Sequence, residues 1–263
     1  MQYIFLIYGA ESRWTEEERA ACIVDSLAIC ERLSAQGKLR GSAPLEPVST
    51  AVTVRVRAGQ TLMTDGPFAE TAEQLGGFYL LDLADLDEAI AIAASLPPAS
   101  RGAVEIRPLF PLDGLPESQP LSHRAQGRLD LILYYDDPTT LRNEEAVRGG
   151  MREATALAHE LERAGRYISA SPLRPVETAT CVRVRDGKRL ITDGPFAETR
   201  EVLGGYYLVH SDSADDALKI ASRHPGARNG CVEVRPLFDI RTLEKSRQNP
   251  AKDVDSAEPR TTH

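Results

Sequence analysis

The sequence predicts an α+β protein built from two copies of one βαββαβ module. Two observations carry this. Shifted by 128 residues, the chain lies on itself: LMTDGPFAETAEQLGGFYL at 62–80 meets LITDGPFAETREVLGGYYL at 190–208, identical at fifteen of nineteen positions. Within each copy, short apolar runs with strand character alternate with segments of helical period. Two copies at this period are too few for a solenoid, so they read as two small domains able to pack as an intrachain pseudo-dimer.

Ile4 to Tyr8 is apolar, β-branched and aromatic, and predicts a central strand. Residues 15–36 predict a helix, since Ala20, Ile23, Val24, Leu27, Cys30 and Leu33 recur near the 3.6-residue period. Thr15 with Glu18 fits a capping box, and Gly37 stops the helix. In the second copy Met151, Ala154, Ala158 and Leu161 mark the same stripe, ended by Gly165. Val52 to Arg57 alternates strictly and predicts a half-buried strand; Ala58-Gly59, like Asp186-Gly187, fits a tight hairpin turn. Phe78 to Leu83 is a further strand, Asp85 to Glu88 caps a second helix, and Val104 to Pro108 is the last strand. The order is ferredoxin-like, with an added hairpin.

The copies span 1–110 and 129–238. A linker rich in Pro, Gly and Ser occupies 111–128, and a polar segment expected to be a disordered tail runs over 239–263. The net charge of −8 argues against nucleic acid, which needs clustered Lys and Arg, and against anionic membrane surfaces. With no run long enough for a membrane span and no export signal, the expected location is cytoplasmic. Cys22, Cys30, Cys181 and Cys231 form no Cys-x-x-Cys pair and the histidines are scattered, so neither a disulfide nor a metal site is expected. No phosphate loop or nucleophile elbow is present, and no cofactor is expected.

A two-layer module leaves one sheet face open, and the second copy is its obvious cover. The valines of 52–57 are expected to face helices, while Thr53, Arg55 and Arg57 face the other copy. Glu105 and Arg107 share that same side of their strand. The space between the copies is therefore either a satisfied ionic seam or a ligand pocket. The Asp-Gly-Pro-Phe segment also has two readings. Asp and Gly hold a turn, Pro fixes φ, Phe anchors, and Glu70 opens a short helix through Glu73. Alternatively Asp65 and Asp193 sit at the mouth of the inter-copy space as acid/base carboxylates. Arg55, Arg183, Phe68, Phe196, Glu105 and Glu233 would then bind the ligand.

The string TDGPFAETxExLGGFYL, followed by a capped helix and VEIRPL, resembles the YCII-related family, in the branch named for its DGPF motif. Both copies match. The resemblance implies a ferredoxin-like fold of the dimeric α/β-barrel type, with one chain supplying both halves. It also implies a suspected enzyme with a His–Asp pair at the cleft, whose Asp would correspond to Asp65 and Asp193. Its His is expected on the first helix, where this sequence has Ser26 and Ala154. DGPF-type relatives are associated with extracytoplasmic-function sigma factors. The functions expected are thus a cofactor-independent small-molecule-binding protein or acid/base enzyme with a site between the copies, or a regulatory partner of such a sigma factor.

Overall fold

The computed structural model describes residues 1–69, 71–121, 127–139, 143–197, 199–241 and 243. In copy one the strands are β1 (Gln2–Gly9), β2 (Leu39–Pro44), β3 (Val52–Arg57), β4 (Gln60–Asp65), β5 (Gln74–Asp82) and β6 (Ala103–Pro108); the helices are α1 (Glu16–Ala35) and α2 (Leu86–Ser95). Copy two repeats them as β7 (Arg128–Asp136), β8 (Tyr167–Pro172), β9 (Thr180–Arg185), β10 (Lys188–Asp193), β11 (Val202–Ser211) and β12 (Gly230–Pro236). Its helices are α3 (Glu144–Arg163), α4 (Ala214–Arg223) and the single turn α5 (Gly226–Asn229).

Local signals fix the helix ends as expected. Thr15 accepts from the Glu18 amide while Glu18 reaches back to Thr15, completing the capping box. Gly37 takes φ 70°, the left-handed stop that glycine reaches without a Cβ clash. Asp85 and Ser213 cap α2 and α4. Two expectations fail. The strand expected from Phe78 already begins at Gln74, which places Gly76 and Gly77 inside β5 beside a bulge. No helix forms among the described residues of 67–73, where the Thr71 hydroxyl and the Gln74 amide close a turn instead. Glu70 lies outside the described residues, as does most of the expected tail.

Each copy's core strands stand in the order β6-β1-β5-β2 and β12-β7-β11-β8, all antiparallel, which is the ferredoxin-like sheet. The hairpins are exchanged, however. β3-β4 of copy one extends the sheet of copy two, with Val54 opposite Val232. β9-β10 extends the sheet of copy one, with Val182 opposite Val104. The β3 valines do face helices, but those of the other copy: Val54 is fully buried in the copy-two core with Leu157, Leu161 and Ile220. Arg57 locks the exchange by donating to the carbonyls of Ala227, Arg228 and Gly230, and Arg185 does the same at Ala99, Ser100 and Gly102.

The open sheet faces stack on each other around Ile4, Leu6, Phe78, Leu131, Leu133 and Tyr206. The expected closed barrel is not formed by the described strands. They make two six-stranded sheets joined at two corners by the isolated bridges Leu45–Leu237 and Leu109–Leu173. Described linker residues lie along this stack: the Gln119 amide donates to the Ile168 carbonyl, and the Tyr167 hydroxyl donates to Pro116. No helix among the described residues is long and apolar enough to cross a membrane.

Candidate functional site

The exchange brings each Asp-Gly-Pro-Phe loop onto the other copy. Gly66, at φ 100°, donates its amide to the Ala51 carbonyl and turns the chain inward after β4; Gly194 repeats this with Ala179. The next amide that points inward, that of Phe68, donates to Glu233 Oε2 at 3.0 Å, and that of Phe196 donates to Glu105 Oε2 at 2.8 Å. The Phe68 ring stacks on Tyr135 and the Phe196 ring on Tyr8, both with centroids 4.3 Å apart.

Glu105 and Glu233 are almost wholly buried, and a buried carboxylate needs a partner. Arg107 and Arg235, each about 1% exposed or less, supply it: both pairs close at 3.3 Å. Each arginine also donates to two main-chain carbonyls, Arg107 to Arg174 and Leu203, Arg235 to Glu46 and Leu75. Around this centre Arg55 meets Glu201 at 3.1 Å and Arg183 approaches Glu73 at 3.9 Å, with its guanidinium over the Phe196 ring. Of the two forms open at the sequence level, the inter-copy space takes that of an ionic seam. The cavity left in it measures about 70 Å³, room for a few waters.

The structure thus brings Phe68, Phe196, Glu105 and Glu233 together, with Arg55 and Arg183 at their margin. Asp65 and Asp193 end the outer strands β4 and β10, are exposed, and do not line this cavity.

Larger clefts open on either side of the seam, between the first helix of each copy and its sheet. The copy-one cleft holds about 330 Å³ and is walled by Ile7, Gly9, Cys22, Ile23, Ser26 and Tyr79. The copy-two cleft holds about 590 Å³ and is walled by Tyr134, Asp136, Met151, Ala154, Tyr207 and His224. Strand pairing aligns the walls. Tyr8 opposes Leu75 as Tyr135 opposes Leu203, so Ile7 corresponds to Tyr134 and Gly9 to Asp136. The offset here is 127 residues rather than 128.

Asp136 is half-buried, and its carboxylate makes no hydrogen bond or ion pair among the described residues. Burial, with a smaller contribution from the Glu201 carboxylate, pushes it up to about 6. Room for it comes from Gly204, where any Cβ would collide with the carboxyl; one at Gly205 would collide with the Tyr134 hydroxyl. His224 is 3% exposed and lies between Tyr134, stacked at 4.5 Å, and Tyr207, edge-on at 5.0 Å. Its Nδ1 accepts from the Gly226 amide at 3.0 Å, which assigns the proton to Nε2, and Nε2 has no partner among the described residues. Burial pushes this imidazole down to about 3, aided by Arg228.

Sequence reasoning missed Asp136, Tyr134, Tyr8 and Tyr135. The signal for Asp136 was an acidic residue directly after the apolar run Leu131 to Tyr135. It was hidden because a constant shift sets Asp136 against Tyr8 instead of Gly9.

Comparison with known proteins agrees with the duplication. The YCII-related domain matches this chain twice, over residues 1–113 and 129–241. An uncharacterized protein of Rhizobium meliloti (strain 1021) is 46% identical over 114 residues, 41% of this chain and 92% of that protein, so one module fills most of the relative's length. The chain belongs to the YCII-related domain family and carries that domain in tandem.

Proposed function

We propose that this chain binds a small molecule in a helix–sheet cleft and works without a cofactor, as a binding protein or an acid/base enzyme. The observation that carries this reading is the contrast in volume. The seam retains about 70 Å³ whereas the flanking clefts reach about 330 and 590 Å³, and small-molecule sites typically occupy roughly 300–1,000 Å³. In this reading the seam residues Glu105, Glu233, Phe68 and Phe196, with Arg55 and Arg183, form the frame. Ligand contact passes to the cleft walls. The motif aspartates Asp65 and Asp193 are then dispensable for binding.

The test is a fragment screen by amide chemical shifts on the full chain. Shifts clustering at Met151, Ala154 and Tyr207, and lost in the cleft-filling variant Met151→Trp, are the expected result. Clustering at Phe68 and Phe196, with loss in the double variant Asp65→Asn and Asp193→Asn, would return the site to the inter-copy space.

A second reading has an observation of its own. Among the described residues the outer strands β4 and β10 each leave one edge unpaired and expose Leu62, Met63, Leu190 and Ile191. Such an edge accepts a strand from another protein, and a regulatory partner such as an extracytoplasmic-function sigma factor would dock there. Hydrogen exchange that is unchanged over residues 60–65 and 188–193 when that sigma factor is added would exclude it.

A further inference from the structure

The two clefts have the same frame and different chemistry. At corresponding positions copy one has Gly9, Ile7 and Leu96 where copy two has Asp136, Tyr134 and His224. The copy-one cleft also has aromatic walls, Trp14 and Tyr79, but its carboxylates Glu11 and Glu16 are exposed, whereas the copy-two cleft holds the half-buried carboxyl group of Asp136 without a partner among the described residues. A desolvated carboxyl with no partner is costly unless something compensates it. Structural carboxylates in this molecule are compensated, as Glu105 is by Arg107 and Asp130 by Arg128.

We infer that the copies have divided their labour: the copy-two cleft alone takes an amine with an aromatic or apolar body, and Asp136 is the group that pairs with its nitrogen and exchanges a proton with it. This rests on the cleft reading above and adds the ligand class and the asymmetry. The aromatic body is met by Tyr134, Tyr207 and Phe110, and the cation by Asp136. Only a proton moves. Below the carboxyl's own pKa an ammonium displaces the Asp136 proton to solvent. A neutral amine instead takes that proton from Oδ, so the O–H bond breaks as the N–H bond forms.

The surrounding charges leave Asp136 free for this. Glu201 is already held by Arg55 of β3 and accepts from the Cys231 thiol of β12. Arg107, at the cleft's inner end, is committed to Glu105 and two carbonyls. The neighbouring Asp137 faces Arg200 and Thr139. Arg174 stands over Phe110, and Glu177, which is exposed, lines the same cleft. His224 is neutral, and Tyr134 keeps its proton because burial raises it well above its usual range. α3 offers this cleft only uncharged groups, among them Val147, Gly150 and Met151.

The experiment uses the full chain with benzylamine and its neutral isostere benzyl alcohol. Calorimetry at about pH 6 in two buffers of different ionisation enthalpy reads affinity and protons together. Benzylamine is expected to bind at least about tenfold tighter than the alcohol and to release about half a proton per molecule bound. Both effects should vanish in Asp136→Asn, with alcohol binding unchanged. Equal affinities, or proton release that persists in Asp136→Asn, overturns the inference and leaves cleft binding standing. If neither probe shifts the amides of Met151 or Tyr207, the cleft reading falls as well. Should Asp136→Asn not fold, the carboxyl carbon shift of Asp136 in the wild-type chain decides: a midpoint near about 4, unmoved by benzylamine, overturns the assignment.

Discussion

The seam and the clefts lie within a few residues of each other along the same strands, yet they treat the duplication in opposite ways. The seam is written twice. Tyr8 and Tyr135, Phe68 and Phe196, Glu105 and Glu233, Arg107 and Arg235 make the same contacts at nearly the same distances. The clefts are each written once: Gly9 against Asp136, Leu96 against His224. The difference has a physical cause. Each seam glutamate is paired within its own copy but accepts an amide of the other, and each seam arginine donates to two carbonyls of the other, so a change in one half leaves buried polar groups of the other without their partner. The wall positions that differ, Gly9 against Asp136 and Leu96 against His224, lie outside the seam's ion pairs and can change without unpairing a seam charge.

The largest effect expected from this comparison concerns separation of the copies. Residues 1–113 expressed alone lack the hairpin that completes their sheet, and are expected to form a homodimer by exchanging their own β3-β4. Sedimentation showing a stable folded monomer would break the account of the hairpins.

Next come the seam glutamates. Glu105→Ala leaves Arg107 buried and uncompensated, and Glu233→Ala does the same to Arg235. Each is expected to cost about 3–5 kcal/mol in urea unfolding, and the two costs should agree. A large cost on one side with none on the other would show that the seam's symmetry is geometric without being energetic.

The clefts should respond asymmetrically. Asp136 is raised to about 6 in the folded chain, so it holds its proton more tightly folded than unfolded. It therefore costs stability as pH rises from about 4 to 6, and the full cost stands above that range. Asp136→Asn is expected to stabilise the protein by roughly 1–3 kcal/mol at pH about 7.5 and to change it little near pH 4. Gly9→Asp, which transplants the carboxyl into copy one, should have the opposite sign. His224 works in the other direction. Lowered to about 3, it resists protonation, so stability is intact above about pH 6.5 and is lost as pH falls below it. His224→Leu, the copy-one residue at that position, is expected to gain about 1–2 kcal/mol near pH 5 relative to neutral pH. A pH profile parallel to wild type would sink that assignment.

The smallest effect is expected at the motif aspartates. Asp65→Asn and Asp193→Asn alter exposed strand ends and should shift stability by no more than about 0.5 kcal/mol. A larger loss would show that the carboxylates hold the turn as well as Gly66 and Gly194 do.

Much of the frame was legible in the sequence because its signals are local. The Thr15–Glu18 box, the stops at Gly37 and Gly165, and the Asp85 cap depend on contacts within one turn of helix. The faces of β3 and β6 were legible because the strand period is two. Of the candidate site, Glu105, Phe68 and their counterparts could be found because they recur. Asp136 could not, since it has no counterpart and its place depends on a one-residue difference between β1 and β7. Its significance comes from burial and from the close approach that Gly204 permits, neither of which a linear pattern records.

The sequence by itself determined the duplication, the element order, most helix ends and which side chains would share one face of a strand. Those follow from period, capping and turn chemistry, which act over a few residues. Only the tertiary structure decided that the hairpins cross between copies, that the charged faces close into a seam, and that a cleft opens beneath the first helix of each copy. These outcomes depend on which of two near-identical strands a hairpin pairs with, and two copies of one sequence offer the same edge twice. Packing of both halves together makes that choice.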